Sequence, residues 1–211
     1  MTVLSTHARM SAALVACALA LAACSGSAAG TDTTAPAPVA PPSAAGTATP
    51  SPTAAYKPAS AEGPAENVPV PKMPEAAKKK SKEGLKAFVK YWYQTLSYAF
   101  ETGDMGPLMA TSGKGCKGCA RIKPVIEEWH TDGKWLIGGE LSVVGSVIER
   151  FEPAADGTYQ VVSQVRQQAM EYYEANGNLK QRAKESAAII DVMTAEFVEG
   201  AWRANNVEGM G

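Results

Sequence analysis

The chain has 211 residues and almost balanced charge, 20 Lys and Arg against 21 Asp and Glu, for a formal net charge of −1. Nucleic acid is therefore not the expected partner, because displacing counterions from a phosphate backbone takes a concentrated positive field. Of the 14 prolines, 11 lie between Pro36 and Pro74, and only Pro107, Pro124 and Pro153 follow. That break near residue 75 predicts a tail over residues 24–75 and a single folded domain over residues 76–211, within the usual domain size.

The N-terminus begins with a short polar stretch containing His7 and Arg9, followed by an apolar run from Met10 to Ala23 rich in Ala, Leu and Val. The run is shorter than the ~20 residues a membrane-spanning helix needs, so residues 1–23 read as a signal peptide. Its end, Leu21-Ala22-Ala23-Cys24, resembles the lipobox of bacterial lipoproteins. The resemblance implies a diacylglyceryl group on the Cys24 sulfur and cleavage just before it. Two acyl chains on one residue anchor a protein more firmly than one chain does. The expected address is the extracellular face of the cell membrane, with the membrane itself as a partner.

From Ser25 to Pro74 the chain is mostly Ala, Pro, Ser, Thr and Gly, with few large apolar side chains. Such a composition buries too little surface to offset the entropy of ordering, so this stretch is expected to be a disordered tether. A flexible chain of that length would span roughly 40 Å on average. Thr49-Pro50-Ser51-Pro52 has the composition of an O-glycan acceptor. A basic run, Lys78-Lys79-Lys80-Ser81-Lys82, closes the tail. It could attract anionic lipid or wall polymer; with Glu75 and Glu83 flanking it, it reads as a solvated lead-in to a helix.

That helix is expected over Ser81–Thr102, where Leu85, Phe88, Val89, Trp92, Leu96, Ala99 and Phe100 recur at steps of three and four. Gly103 suits the left-handed position just past its end. A second helix is expected from about Cys116 to Thr131, with Pro124 kinking it or marking a later start. The apolar period then changes to two. Trp135–Val147 reads as one long strand, with Gly138-Gly139 and Gly145 as natural bends. Asp156-Gly157, Asn176-Gly177 and Glu199-Gly200 read as hairpin turns joining three more strands, from Tyr159, from Leu179, and over Ala201–Val207. Ser186–Phe197 partly fits a helix too, but the tight turn after it favours strand. The prediction is an α+β domain: N-terminal helices packed on a curved, mostly antiparallel four-stranded sheet.

Long bent strands curling round a helix resemble the cone-shaped NTF2-like, or SnoaL-like, fold, with Thr102-Gly103-Asp104 and the closing Gly200-Ala201-Trp202-Arg203 in support. More narrowly, Tyr91-Trp92, Thr102-Gly103-Asp104, Cys116-x-x-Cys119 and the Gly-rich Trp135–Val147 resemble an actinobacterial lipoprotein family, DUF6318. The resemblance implies a fold and a location. It implies no activity.

Four cysteines are present. Cys17 leaves with the signal peptide and Cys24 is taken by lipid, so the domain keeps Cys116 and Cys119. Outside the cell that pair is expected to close into a disulfide. Thiol exchange is the competing reading of C-x-x-C, but no thioredoxin-like βαβ pattern surrounds it. A zinc site would need two further ligands, and the mature chain offers His130 as its one histidine. No cofactor, metal or catalytic set is expected. On a SnoaL-like cone His130 could pair with Asp104 or Glu128 as a general base; at a helix end, an exposed or capping imidazole is the plainer reading. Tyr91, Trp92, Tyr93, Tyr98, Trp129, Trp135 and Trp202 divide between core packing and pocket lining. Gln164, Arg166, Gln168, Arg182 and Lys184 read as a solvated or partner-facing strand surface. The function expected is a non-enzymatic envelope module binding a protein, a wall polymer or a small ligand; the alternative is a SnoaL-like small-molecule enzyme of isomerase or dehydratase type with His130 in the cone.

Overall fold

The computed structural model describes residues 54–210; the signal peptide, Cys24 and Thr49-Pro50-Ser51-Pro52 lie outside the described residues. Ordered chain begins well before the composition break. Lys57 and Glu66 exchange backbone hydrogen bonds of 3.0 and 2.9 Å, and Ser60 and Gly63 exchange bonds of 2.9 and 3.1 Å. The resulting hairpin is docked on the body: the Trp135 indole donates to the Ser60 carbonyl (2.9 Å) and the Tyr56 hydroxyl donates to Glu101. The boundary expected at residue 75 therefore falls inside the folded unit. A composition of Ala and Pro misjudges this stretch because the hairpin contributes backbone carbonyls, while the large side chain at the contact comes from Trp135.

A 3-10 turn, Glu75–Lys78, leads into α1, Lys82–Thr102. Ser81 caps α1 by accepting from the Gly84 N–H (3.0 Å), and Gly103 ends it at φ 78°. Its stripe from Leu85 to Phe100 is buried, as the periodicity predicts. A one-turn helix, α2, Gly106–Ala110, has no counterpart in the sequence pattern. Helix α3, Lys117–Trp129, begins ahead of Pro124 and runs through it.

The strands are β1 Trp135–Gly138, β2 Leu141–Val147, β3 Tyr159–Gln167, β4 Met170–Tyr173, β5 Leu179–Ala183, β6 Ile189–Val198 and β7 Ala201–Met210. They form two antiparallel sheets, ordered β1-β4-β5 and β2-β3-β6-β7. The predicted strands are thus each divided, except the last. The first breaks at Gly138 and Gly139, both at positive φ (77° and 78°), a conformation that glycine adopts without the Cβ clash. A shift in β2 pairing between Val143 and Gly145 reverses its facing. Val147, which shares the parity of Leu141 and Val143, is consequently turned outward and 62% exposed. Asn176-Gly177 and Glu199-Gly200 turn between paired strands as read, the latter, with φ of 53° and 81°, as a tight two-residue turn. Asp156-Gly157 is instead a turn within the longer connection 148–158 between β2 and β3.

On the inner face of the four-stranded sheet, Tyr159, Val161, Val165, Met193, Ala195 and Val207 join the α1 stripe in one core. Between the apolar rows runs a polar one. Ser146, Ser163, Asp191 and Gly209 are successive cross-strand partners.

Candidate functional site

Cys116 and Cys119 form a disulfide and are 4% and 1% exposed. Cys116 is the N-cap of α3, its sulfur accepting from the Cys119 N–H (3.1 Å). The turn they close and the chain leading into it lie against the outer edge of β7. The Gly113 N–H donates to the Ala204 carbonyl (2.7 Å), the Ala204 N–H donates to the Thr111 carbonyl (2.9 Å), and the Lys117 N–H donates to Asn206 Oδ1 (3.1 Å). A Cβ on Gly118 would stand 2.5 Å from the Val207 carbonyl oxygen, so glycine is what lets the helix approach the strand. The bridge thus holds a cover over an edge that would otherwise offer unpaired backbone groups. Its burial leaves an attacking thiolate no approach, and the geometry fits a structural bridge.

The other sequence candidates are not brought together. His130 Nε2–H donates to the Phe100 carbonyl at the end of α1 (2.9 Å), and its ring packs against Gly103. Burial pushes its pKa below the ordinary 6.5, with the Phe100 hydrogen bond pulling partly back. The Asp104 carboxylate faces elsewhere, accepting from the Gly106 N–H (2.8 Å) and from the Tyr98 hydroxyl (3.4 Å). Glu128 is exposed. Among the described residues no three His, Cys, Asp or Glu side chains gather as metal ligands.

The aromatic side chains mostly build core. Trp92 donates to Ser112 Oγ (2.9 Å) and meets Tyr93 edge-on, Trp135 stacks on Tyr173, and Trp202 sits among Phe151, Tyr159 and Phe197. What the sequence reading missed is the partner of Tyr93. Its hydroxyl donates to Asp191 Oδ2 at 2.6 Å across the α1–β6 contact, beside the Ser146–Ser163 hydroxyl pair (2.8 Å). Burial, and then the Asp191 hydrogen bond, drive the Tyr93 pKa far upward, so the phenol stays a donor. A signal was present: Asp191 occupies an inward position of a strand whose neighbours there are Ile189, Met193 and Ala195.

A concavity lies on the opposite, outer face of the sheet. An open trough of about 770 Å³ has Val147, Val162 and Val192 on its floor, side by side across three strands. The chain leaving β2 forms one wall. Ile148 is buried and Phe151 packs on Tyr159 (ring centroids 4.8 Å apart), which fixes Glu149, Arg150 and Glu152 at the rim. Among the described residues these three rim charges are in no ion pair.

A family of unknown function, DUF6318, matches residues 54–208. The chain belongs to the DUF6318 family. The match begins with the docked hairpin rather than at the composition break, so the hairpin is part of the family's domain. A comparison with curated proteins gave no match. Among solved structures, Aln2 from a Streptomyces species is 18% identical over 62% of this chain and 93% of its own, with a TM-score of 0.39. The intermembrane space region of the chloroplast protein ARC6 is 11% identical over 61% of this chain and 95% of its own, with a TM-score of 0.36. At those scores neither likeness bears on fold or function. Among the described residues no helix is long and apolar enough to cross a membrane.

Proposed function

We propose that this DUF6318 protein is a cell-envelope lipoprotein, tethered through lipid on Cys24, whose domain is a non-catalytic binding module of NTF2-like, cone type. The observation that carries the binding reading is the trough on the outer sheet face. Its valine floor is open to water while the space between α1 and the sheet is filled by the protein's own side chains. An apolar floor with unpaired charges at its rim fits an extended segment of a partner protein, which supplies side chains for the floor and charges for the rim. The alternative, an enzyme built on His130, draws no support from an imidazole tied to the Phe100 carbonyl with no carboxylate beside it. With the hairpin docked from residue 54, the stretch left to act as tether runs from Cys24 to residue 53.

Two measurements test the proposal. Replacing Cys24 with Ser should release the protein from the membrane fraction into the medium, and retention would overturn the lipid assignment. Crosslinking in intact cells should capture a partner with the wild-type chain and lose it with Val162→Arg or Val192→Glu, at unchanged thermal stability. Capture that is equal for all three would remove the trough as the binding site.

A further inference from the structure

The fold gathers two groups of cations, distant in sequence, along one edge of the molecule. The first is the lead-in to α1, held against β7 because the Trp202 indole donates to the Lys79 carbonyl (2.9 Å). The second is carried by the Gly113–Cys116 turn and the first turns of α3, bound to β7 at Ala204 and Asn206. From Trp202 to Asn206 is four steps of strand, about 13 Å at the usual rise. Carboxylates do stand on this edge. Glu75 pairs with Lys78 (2.6 Å), Glu83 with Lys86 (3.4 Å) and Glu208 with Lys117 (3.8 Å). Those pairs leave Lys79, Lys80, Lys82, Lys114 and Arg121 exposed and, among the described residues, in no ion pair. Lys80 is turned toward β3 instead, its ammonium 5.8 Å from the centre of the Tyr159 ring, so the edge itself is carried by Lys79, Lys82, Lys114 and Arg121. In a chain of formal net charge −1, such an excess on one edge is segregation rather than general basicity.

We propose that this β7 edge rests on the anionic headgroups of the membrane, an inference that builds on the anchoring through Cys24 proposed above. The partner class follows from the spacing. The points where the two groups are anchored on β7 lie about 13 Å apart, beyond the Debye length of about 8 Å at physiological salt. A single phosphate ion therefore meets one group, whereas a charged plane meets both at once. Lipid headgroups also move sideways to match fixed cations. Lys114 stands on a turn closed by the Cys116 N–H donating to the Gly113 carbonyl (3.1 Å) and tied to β7 by the Gly113 N–H donating to the Ala204 carbonyl (2.7 Å), so that ordering it costs little when it docks.

The test uses the mature polypeptide from Ser25, which holds every described residue and no acyl chain. It is mixed with vesicles of phosphatidylcholine, alone or with phosphatidylglycerol. The expected result is sedimentation with the phosphatidylglycerol vesicles only, reversed by high salt. The paired variants Lys79→Glu/Lys82→Glu and Lys114→Glu/Arg121→Glu should each weaken it by about tenfold or more, with near-ultraviolet circular dichroism unchanged. Equal binding to both vesicle types, no binding, or variants that bind as the wild type would overturn the proposal. So would full competition by inorganic phosphate, which marks a single-ion site, or binding to isolated wall polymer without binding to vesicles. This polypeptide carries no acyl chain, so the outcome is independent of whether Cys24→Ser releases the protein from cells.

Discussion

Asp191 is, among the described residues, the only charged side chain in the buried core. A carboxylate in such a place is retained only with a donor, and Tyr93 supplies it at 2.6 Å. Tyr93→Phe deletes the donor and leaves the carboxylate facing an apolar ring. We expect a loss of about 1–3 kcal/mol, read as a lower urea midpoint with an unchanged slope. Asp191→Asn, which keeps an acceptor, should cost less than Asp191→Ala. His130 makes a second prediction. Its folded pKa lies below 6.5, so the unfolded chain takes up the proton first as pH falls. The contribution of the neutral ring is present above the ordinary imidazole value and is lost as pH drops through 6.5 toward the folded value. His130→Gln, which keeps an N–H donor, should flatten the dependence of the melting temperature between about pH 7 and pH 5. An equally steep curve in the variant would assign the effect to other groups.

At the scale of elements, the C-x-x-C turn is a clamp on strand β7. Closing so short a loop contributes about 2 kcal/mol by chain entropy. The double variant Cys116→Ser/Cys119→Ser should therefore melt earlier. A more specific consequence is faster hydrogen exchange at the Gly113 and Ala204 amides, whose bonds of 2.7 and 2.9 Å tie the cover to the edge. If those amides keep wild-type protection, the clamp role fails even where global stability falls. Gly118→Ala should act through the same contact, because its methyl would meet the Val207 carbonyl. Helix α1 was legible in its span and in its Gly103 end, both of which are set by residues next to one another in the chain; Ser81, read as its first residue, is its N-cap. Helix α2 was not: a helix of five residues, Gly106–Ala110, has too few positions to show a period.

For the whole molecule, the folded unit is longer than its composition indicates. A chain beginning at Ala76 lacks the hairpin, and with it the carbonyl of Ser60 that satisfies the Trp135 indole. We expect it to melt about 3–8 °C below a chain beginning at Ala54, with Trp emission shifted to the red. Equal melting temperatures would show that the hairpin only decorates the domain. The candidate trough is a property of this scale as well. It exists because the pairing shift in β2 turns Val147 outward, beside Val162 and Val192.

By itself, the sequence determined what depends on neighbours along the chain. The amphipathic stripe of α1, the turns at Asp156-Gly157, Asn176-Gly177 and Glu199-Gly200, the α+β class and the Cys116–Cys119 closure all follow from spacing within a few residues. The lipobox before Cys24 is equally local, and its expected processing stands as a proposal. The tertiary structure alone decided which distant groups meet: Tyr93 with Asp191, Ser60 with Trp135, His130 with Phe100, and the two basic groups along β7. Such meetings are fixed by how strands bend and register. One shifted residue pair in β2 reverses which face a side chain takes, and no periodicity within a single segment records it.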